Sequence, residues 1–187
     1  TREVAREICL RQGLKAALIG TITKFDRNYS ILLEALDAHN GAVFASTLVE
    51  AEGRDSVLHA LDRAAHQLRE KLGESLSSIQ RFAVPMEQGT TASLDALKAV
   101  SLARDQFLKG NRLEAITLYK RALEFDPNFA LPYARLANTY DGIGQSELAK
   151  EFGEKAYQLR AHTSEREKFY ISSIYYDCVT GEIEKDI

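Results

Sequence analysis

The stretch LARDQFLKGNRLEA at 102–115 returns as LANTYDGIGQSELA at 136–149, and this return decides the architecture. Leu102-Ala103, Gly110 and Ala115 recur 34 residues later as Leu136-Ala137, Gly144 and Ala149, and Ala122 recurs at the same offset as Ala156. A fixed period of that length marks a stacked helical array, because each unit is one helix pair that cannot bury its apolar face alone. Each unit reads as a helix ending at Lys109-Gly110 or at Gly142–Gly144, a tight turn and a second helix. The first unit stops at Asp126-Pro127.

The pattern resembles the tetratricopeptide repeat, a helix–turn–helix with small residues where its helices cross and a proline near its end. Unit one, 96–129, supplies Leu102, Ala103, Gly110, Ala115, Tyr119, Ala122 and Pro127. Unit two, 130–163, supplies Tyr133, Leu136, Ala137, Tyr140, Gly144, Ala149 and Ala156. It departs from the pattern at Gly153, where an aromatic is usual, and at Ala161, where proline is usual, so its second helix is expected to be looser or to shift to use Phe152. A third unit, 167–187, follows three residues late with Tyr170, Ile174 and Gly181, and stops shortly after its turn. Its helix, about 165–179, carries Phe169, Tyr170, Ile171, Ile174, Tyr175, Tyr176 and Val179. Left bare, that cluster would exceed what a soluble monomer exposes. It is therefore expected to be covered by another copy, by the linker around Phe82–Met86 or by crystal neighbours, with self-association at high concentration favoured and 182–187 frayed or drawn into the contact.

Upstream the periodicity changes. Residues 2–12 place Val4, Ala5, Ile8 and Cys9 on a helical stripe, with Thr1 as N-cap and Gly13 as stop. AALIGTITKF (16–25), YSILLEALDA (29–38) and AVFASTLVEA (42–51) then read as three strands. Their connectors, Asp26-Arg27-Asn28 and His39-Asn40-Gly41, fit hairpin turns, which predicts an antiparallel meander. A helix over 56–72, capped by Asp55 or Ser56, aligns Val57, Leu61, Ala64, Ala65, Leu68 and Leu72. The α-β-β-β-α order makes 1–72 a small α+β domain, with both helices expected on one face of the sheet. Residues 73–92 read as a linker that packs on something, and 93–187 as the all-α repeat array.

The strand–hairpin–strand text AALIGTITKFDRNYSILLEALDAHNGAVFAS, followed by an amphipathic helix and then repeats, resembles a TolB-type amino-terminal domain. Such domains precede tetratricopeptide repeats in some bacterial receptor-like serine/threonine kinases and in adenylate-cyclase-like or winged-helix regulators. The resemblance implies a carboxy-terminal, non-catalytic region of a signalling or envelope protein, with an extracytoplasmic position slightly favoured. The start without Met, directly on helical periodicity, fits a piece of something longer.

Composition narrows the function. Of 187 residues, 24 are basic and 27 acidic, and residues 1–72 carry ten of each sign. No basic field is available for a nucleic-acid backbone. No apolar run approaches the roughly 20 residues a bilayer span needs. Cys9 and Cys178 stand at opposite ends and make neither a disulfide framework nor a metal knuckle. His59 and His66 lie seven residues apart on a helix, about 10.5 Å of rise, too far to share a metal ion. His39 reads as a turn residue and His162 as a loop residue. GIGQSE at 142–147 falls in an inter-helix turn and lacks the third glycine of a dinucleotide fingerprint. A P-loop and the kinase loops are absent from the sequence, so no catalytic residue, metal or cofactor is expected.

What remains is a surface. The first helices of stacked repeats line a concave groove. Its inward residues are Arg104, Phe107 and Leu108 from unit one, Arg135, Asn138 and Asp141 from unit two, and Lys168, Ile171 and Tyr175 from unit three, with Arg104, Asn138 and Tyr175 in equivalent places. Arg and Lys donate to carboxylates, Asn pairs with peptide amides, and Tyr gives a rigid contact face. Val100 and Ala134 stand where the basic carboxylate clamp of chaperone-binding members would place Lys. The expected partner is a protein or peptide. The alternative is a small-molecule sensor, binding in the α+β domain or the inter-domain crease.

Overall fold

A computed structural model describes residues 1–82 and 85–181. The chain divides into two compact units, Thr1–Pro85 and Met86–Ile187.

The first unit runs α1 (Arg2–Arg11), β1 (Ala16–Phe25), β2 (Asn28–Asp37), β3 (Val43–Glu52), α2 (Val57–Lys71) and α3 (Leu76–Phe82), with the strands antiparallel in the order β1-β2-β3. Thr1 caps α1 by accepting from the Val4 amide at 3.4 Å. Ser56 takes the N-cap place of α2 but turns its hydroxyl backward, donating to Glu52 O at 2.6 Å.

The two helices take opposite faces of the sheet, which corrects the expectation of a shared one. Leu33, Ala35 and Ala45 pack with Leu68 of α2, and Thr47 on that same face donates to Gln67 Oε1 at 2.5 Å. Cys9 and Ala5 of α1 pack instead with Ala17 and Ala38, and Arg2 bonds Glu34. The reason lies in ILLEAL at 31–36, which is apolar at odd and even positions alike. With Ile31 and Leu36 both buried, neither face can be left to water. The buried stripe of α2 is Val57, Leu58, Ala60, Ala64 and Leu68, rotated away from Leu72, which is 42% exposed.

The second unit runs α4 (Met86–Gly89), α5 (Leu94–Leu108), α6 (Arg112–Phe125), α7 (Ala130–Asp141), α8 (Ser146–Leu159), a 3₁₀ turn (Arg160–His162), α9 (Glu165–Tyr175) and a π turn (Tyr176–Thr180). Ala103, Ala115, Ala122, Ala137, Ala149 and Ala156 are all fully buried, so every repeated alanine sits in packed interior. The repeat extends to hydrogen bonds. Gly110 and Gly144 have φ of 84° and 75°, and the next amides, Asn111 and Gln145, reach back to Gln106 O and Tyr140 O, each at 2.9 Å. A side chain at either glycine would be strained, since the left-handed residue is what lets the helix close on its own last carbonyls.

The segment read as a linker carries α3 and α4. Ile79 is buried in the first unit, whereas Gly89–Thr91 belong to the second, where Gly89 and Thr91 are buried. Gly89 O accepts from the Ser164 amide at 2.7 Å, Thr90 Oγ1 donates to Glu167 Oε1 at 2.8 Å, and Thr91 Oγ1 bonds Asp126. This strap ties the end of α6 to the start of α9.

The last helix is covered differently from expectation. Ile171 and Ile174 are buried against Ala130, Ala134, Ala137 and Ala156, Tyr175 and Tyr176 pack on Tyr157, and Val179 reaches Gly153. Phe169 alone of the named cluster is largely exposed, at 75%. The strap meets this helix through Gly89 and Thr90. Residues 83, 84 and 182–187, invoked for the same purpose, lie outside the described residues.

Candidate functional site

Tyr119 of α6 is buried in the apolar cluster that α5, α6, α7 and α8 build. Equivalent to Gly153 one period later, it is 1% exposed, and burial raises its phenol pKa while the nearby guanidinium groups of Arg135, Arg104 and Arg112 oppose the rise. Arg104 on α5 is exposed. Arg135 on α7 is half-buried, its guanidinium carbon 4.3 Å from the Tyr170 ring centroid on α9. Tyr170 is likewise raised, by burial first and against the pull of Arg135. One turn before it stands Glu167, whose Oε1 holds Thr90 while Oε2 is buried without a partner among the described residues. Burial raises this carboxyl too, with the Thr90 bond and the Arg135 charge opposing.

The remaining expected groove residues separate into two sets. Phe107 is half-buried beneath Arg112, whose guanidinium carbon lies 3.7 Å from its ring centroid, and Leu108 is 71% exposed. Asn138 is half-buried and Asp141 exposed. Asp141 faces Cys178, a free thiol pushed up to about 11 by burial, then by Asp141 and Asp177. Leu108 and Asp141 are thus open to solvent, and Phe107 and Asn138 partly so. Ile171 is not, being fully buried in the core between α7 and α8. Tyr175 is half-buried: its ring stacks on Tyr157 at 3.9 Å, and Arg160 covers Tyr157 at 3.4 Å. Lys168 is half-buried and paired with Glu165 at 2.6 Å. The third helix thus turns Tyr175 onto α8, and the expectation that it lines the groove through Ile171 and Tyr175 is corrected. The apolar residues of this helix are satisfied by the preceding pair, Ile171 and Ile174 against Ala130, Ala134, Ala137 and Ala156, and Tyr175 against Tyr157.

The sequence reading missed Tyr119, Glu167, Tyr170 and Thr90 as polar-site residues. A Glu–Tyr pair three residues apart beside an Arg of the previous unit was a usable signal for the first contacts. Thr90 had none, since it lies in a segment without periodicity. Among the described residues no group of three or more His, Cys, Asp or Glu could hold a metal ion, and no helix is long and apolar enough to cross a membrane.

No curated protein matches the sequence. The tetratricopeptide repeat family matches residues 118–151, from the second half of α6 to the first half of α8, and a repeat of this kind points to a protein partner.

Proposed function

We propose that this chain is a non-catalytic protein-interaction region whose repeats receive an extended peptide across α5 and α7. The observation that carries the reading is the pair Arg104 and Asn138. At equivalent positions one period apart they keep access to solvent, while the alanines beside them close the helix crossings. One repeat therefore offers a cation and the next an amide, with Phe107 and Leu108 adding apolar area. The small antiparallel sheet ahead of the repeats supports placing the chain among TolB-type regions of bacterial receptor-like kinases and related regulators, with catalysis elsewhere in the parent.

Peptides selected on the whole chain from a random display library test this. They are expected to bind Arg104→Glu and Asn138→Ala about tenfold more weakly, a loss typical of interface anchors, and Lys168→Ala with unchanged affinity. Peptides indifferent to both positions would remove the groove from consideration. The same protein is expected to hydrolyse no ATP; turnover that co-purifies and vanishes on changing one side chain would overturn the non-catalytic assignment.

A further inference from the structure

The fold treats the two edges of its three-stranded sheet differently. On β3, Lys71 Nζ donates to Ser46 O at 2.5 Å and Arg63 Nη2 to Glu50 O at 2.9 Å, so α2 occupies outward carbonyls of that edge. Backbone direction alternates along an antiparallel strand. With Ser46 and Glu50 pointing outward, Ala45, Thr47, Val49 and Ala51 are the residues bonded to β2, through Ala35, Leu33, Ile31 and Tyr29. Strand β2 therefore turns Ser30, Leu32, Glu34 and Leu36 toward β1, where they meet Thr23, Thr21, Ile19 and Ala17. The amides and carbonyls of Leu18, Gly20, Ile22 and Lys24 are left pointing out of β1.

Of the devices that normally block strand addition, β1 carries one charged side chain, Lys24, next to its end. It is ten residues long, contains no proline, and its register with β2 is unbroken. Among the described residues no side chain caps its four outward positions. Because α2 lies over β2 and β3, Leu18 and Ile22 on that same face are 68% and 53% exposed.

We infer that β1 pairs antiparallel with β1 of a second copy about a two-fold axis at Gly20. In this register Leu18 stands opposite the partner's Ile22 on both sides of the axis, and Lys24 opposite the partner's Ala16. All four exposed aliphatic side chains then cover one another across the two copies. A shift by one pair would set Lys24 against the partner's Leu18 and leave Ile22 beside a glycine. An isologous edge must be self-complementary, and the spacing of Leu18 and Ile22 about Gly20 satisfies that condition. Gly20 itself is fixed by its own sheet, since a β-carbon there would lie 3.2 Å from Leu33 Cδ2. The product is a continuous six-stranded sheet. One strand per copy buries less than the roughly 1,200–2,000 Å² of stable complexes, so the dimer forms reversibly at micromolar or higher concentration.

Sedimentation of the whole chain, from low to several hundred micromolar, is expected to show a reversible monomer–dimer equilibrium. Ile22→Lys, at an exposed position, weakens it by about tenfold or more, whereas Leu113→Lys, at a still more exposed position on α6, leaves it unchanged. Hydrogen exchange on the wild-type chain gives an answer free of any folding defect: the amides of Leu18, Gly20, Ile22 and Lys24 gain protection with concentration. A monomer at every concentration overturns the inference. So does a dimer that leaves those four amides unprotected, including one formed by the repeat end.

Discussion

A β-carbon on Gly153 would lie 2.8 Å from Val179 Cγ2, so the second repeat keeps a gap that Val179 fills. At the equivalent position of the first repeat stands Tyr119, which fills its own space. The aromatic missing at 153 is supplied one residue earlier, where Phe152 stacks on Tyr140 at 5.4 Å and tilts against Tyr133 at 6.2 Å. The irregularity is thus how the array seats its last helix.

Gly153→Ala tests this seat. Alanine should favour the helix by about 1 kcal/mol, yet Val179 is β-branched and stiff, and the forced overlap costs about 1–3 kcal/mol. The expected net result is a lower urea midpoint, restored when Val179→Ala is added. A single mutant more stable than the wild type would show that the gap is unfilled.

Ala122→Leu pushes three extra carbons into a fully buried helix crossing. It is expected to lower stability by about 1–3 kcal/mol, whereas Leu113→Ala, at a residue 75% exposed, leaves the melting temperature nearly unchanged. Equal melting curves for the two variants would sink the crossing register.

Glu167 makes the fold sensitive to pH in a defined direction. Its folded pKa lies above the ordinary value of 4.5, because burial disfavours the carboxylate. The folded state therefore binds the proton more tightly, and this residue's contribution to stability falls as pH rises from the unfolded value through the folded one. Glu167→Gln can keep the acceptor for Thr90 while removing the charge. The variant should match the wild type at the acid end of that window and melt at higher temperature above it. A pH-independent difference would contradict the buried charge.

Glu74 has the opposite sign. Arg69 donates to both of its carboxylate oxygens at 2.6 Å and Ser78 adds a bond at 2.7 Å, which lowers the pKa to about 2. Its contribution is present above the ordinary value of 4.5 and is lost as pH falls through about 2. Carboxyl NMR titration should return Glu74 toward 4.5 in Arg69→Gln, and a midpoint still near 2 would assign the shift elsewhere.

Much of this molecule was legible along the chain because its signals are local. The return of Leu-Ala, Gly and Ala after 34 residues fixed the helix pairs, and the same spacing reappears in the Asn111 and Gln145 caps. Strand-forming segments separated by Asn and Gly placed the meander within a residue of its observed ends. That Arg104 and Asn138 keep access to solvent was reachable by counting, since an open helix face is set by the turn of its own helix. Tertiary structure decided the rest. ILLEAL offers apolar residues to both faces, so only packing could put α1 and α2 on opposite sides. Ile171 and Tyr175 fit the groove by count, but packing sets Ile171 into the core with α7 and α8 and stacks Tyr175 on Tyr157, because burying apolar area outweighs keeping register with earlier repeats. Thr90 meets Glu167 across 77 residues, and no period in a sequence encodes such a contact, which exists only once the chain has closed on itself.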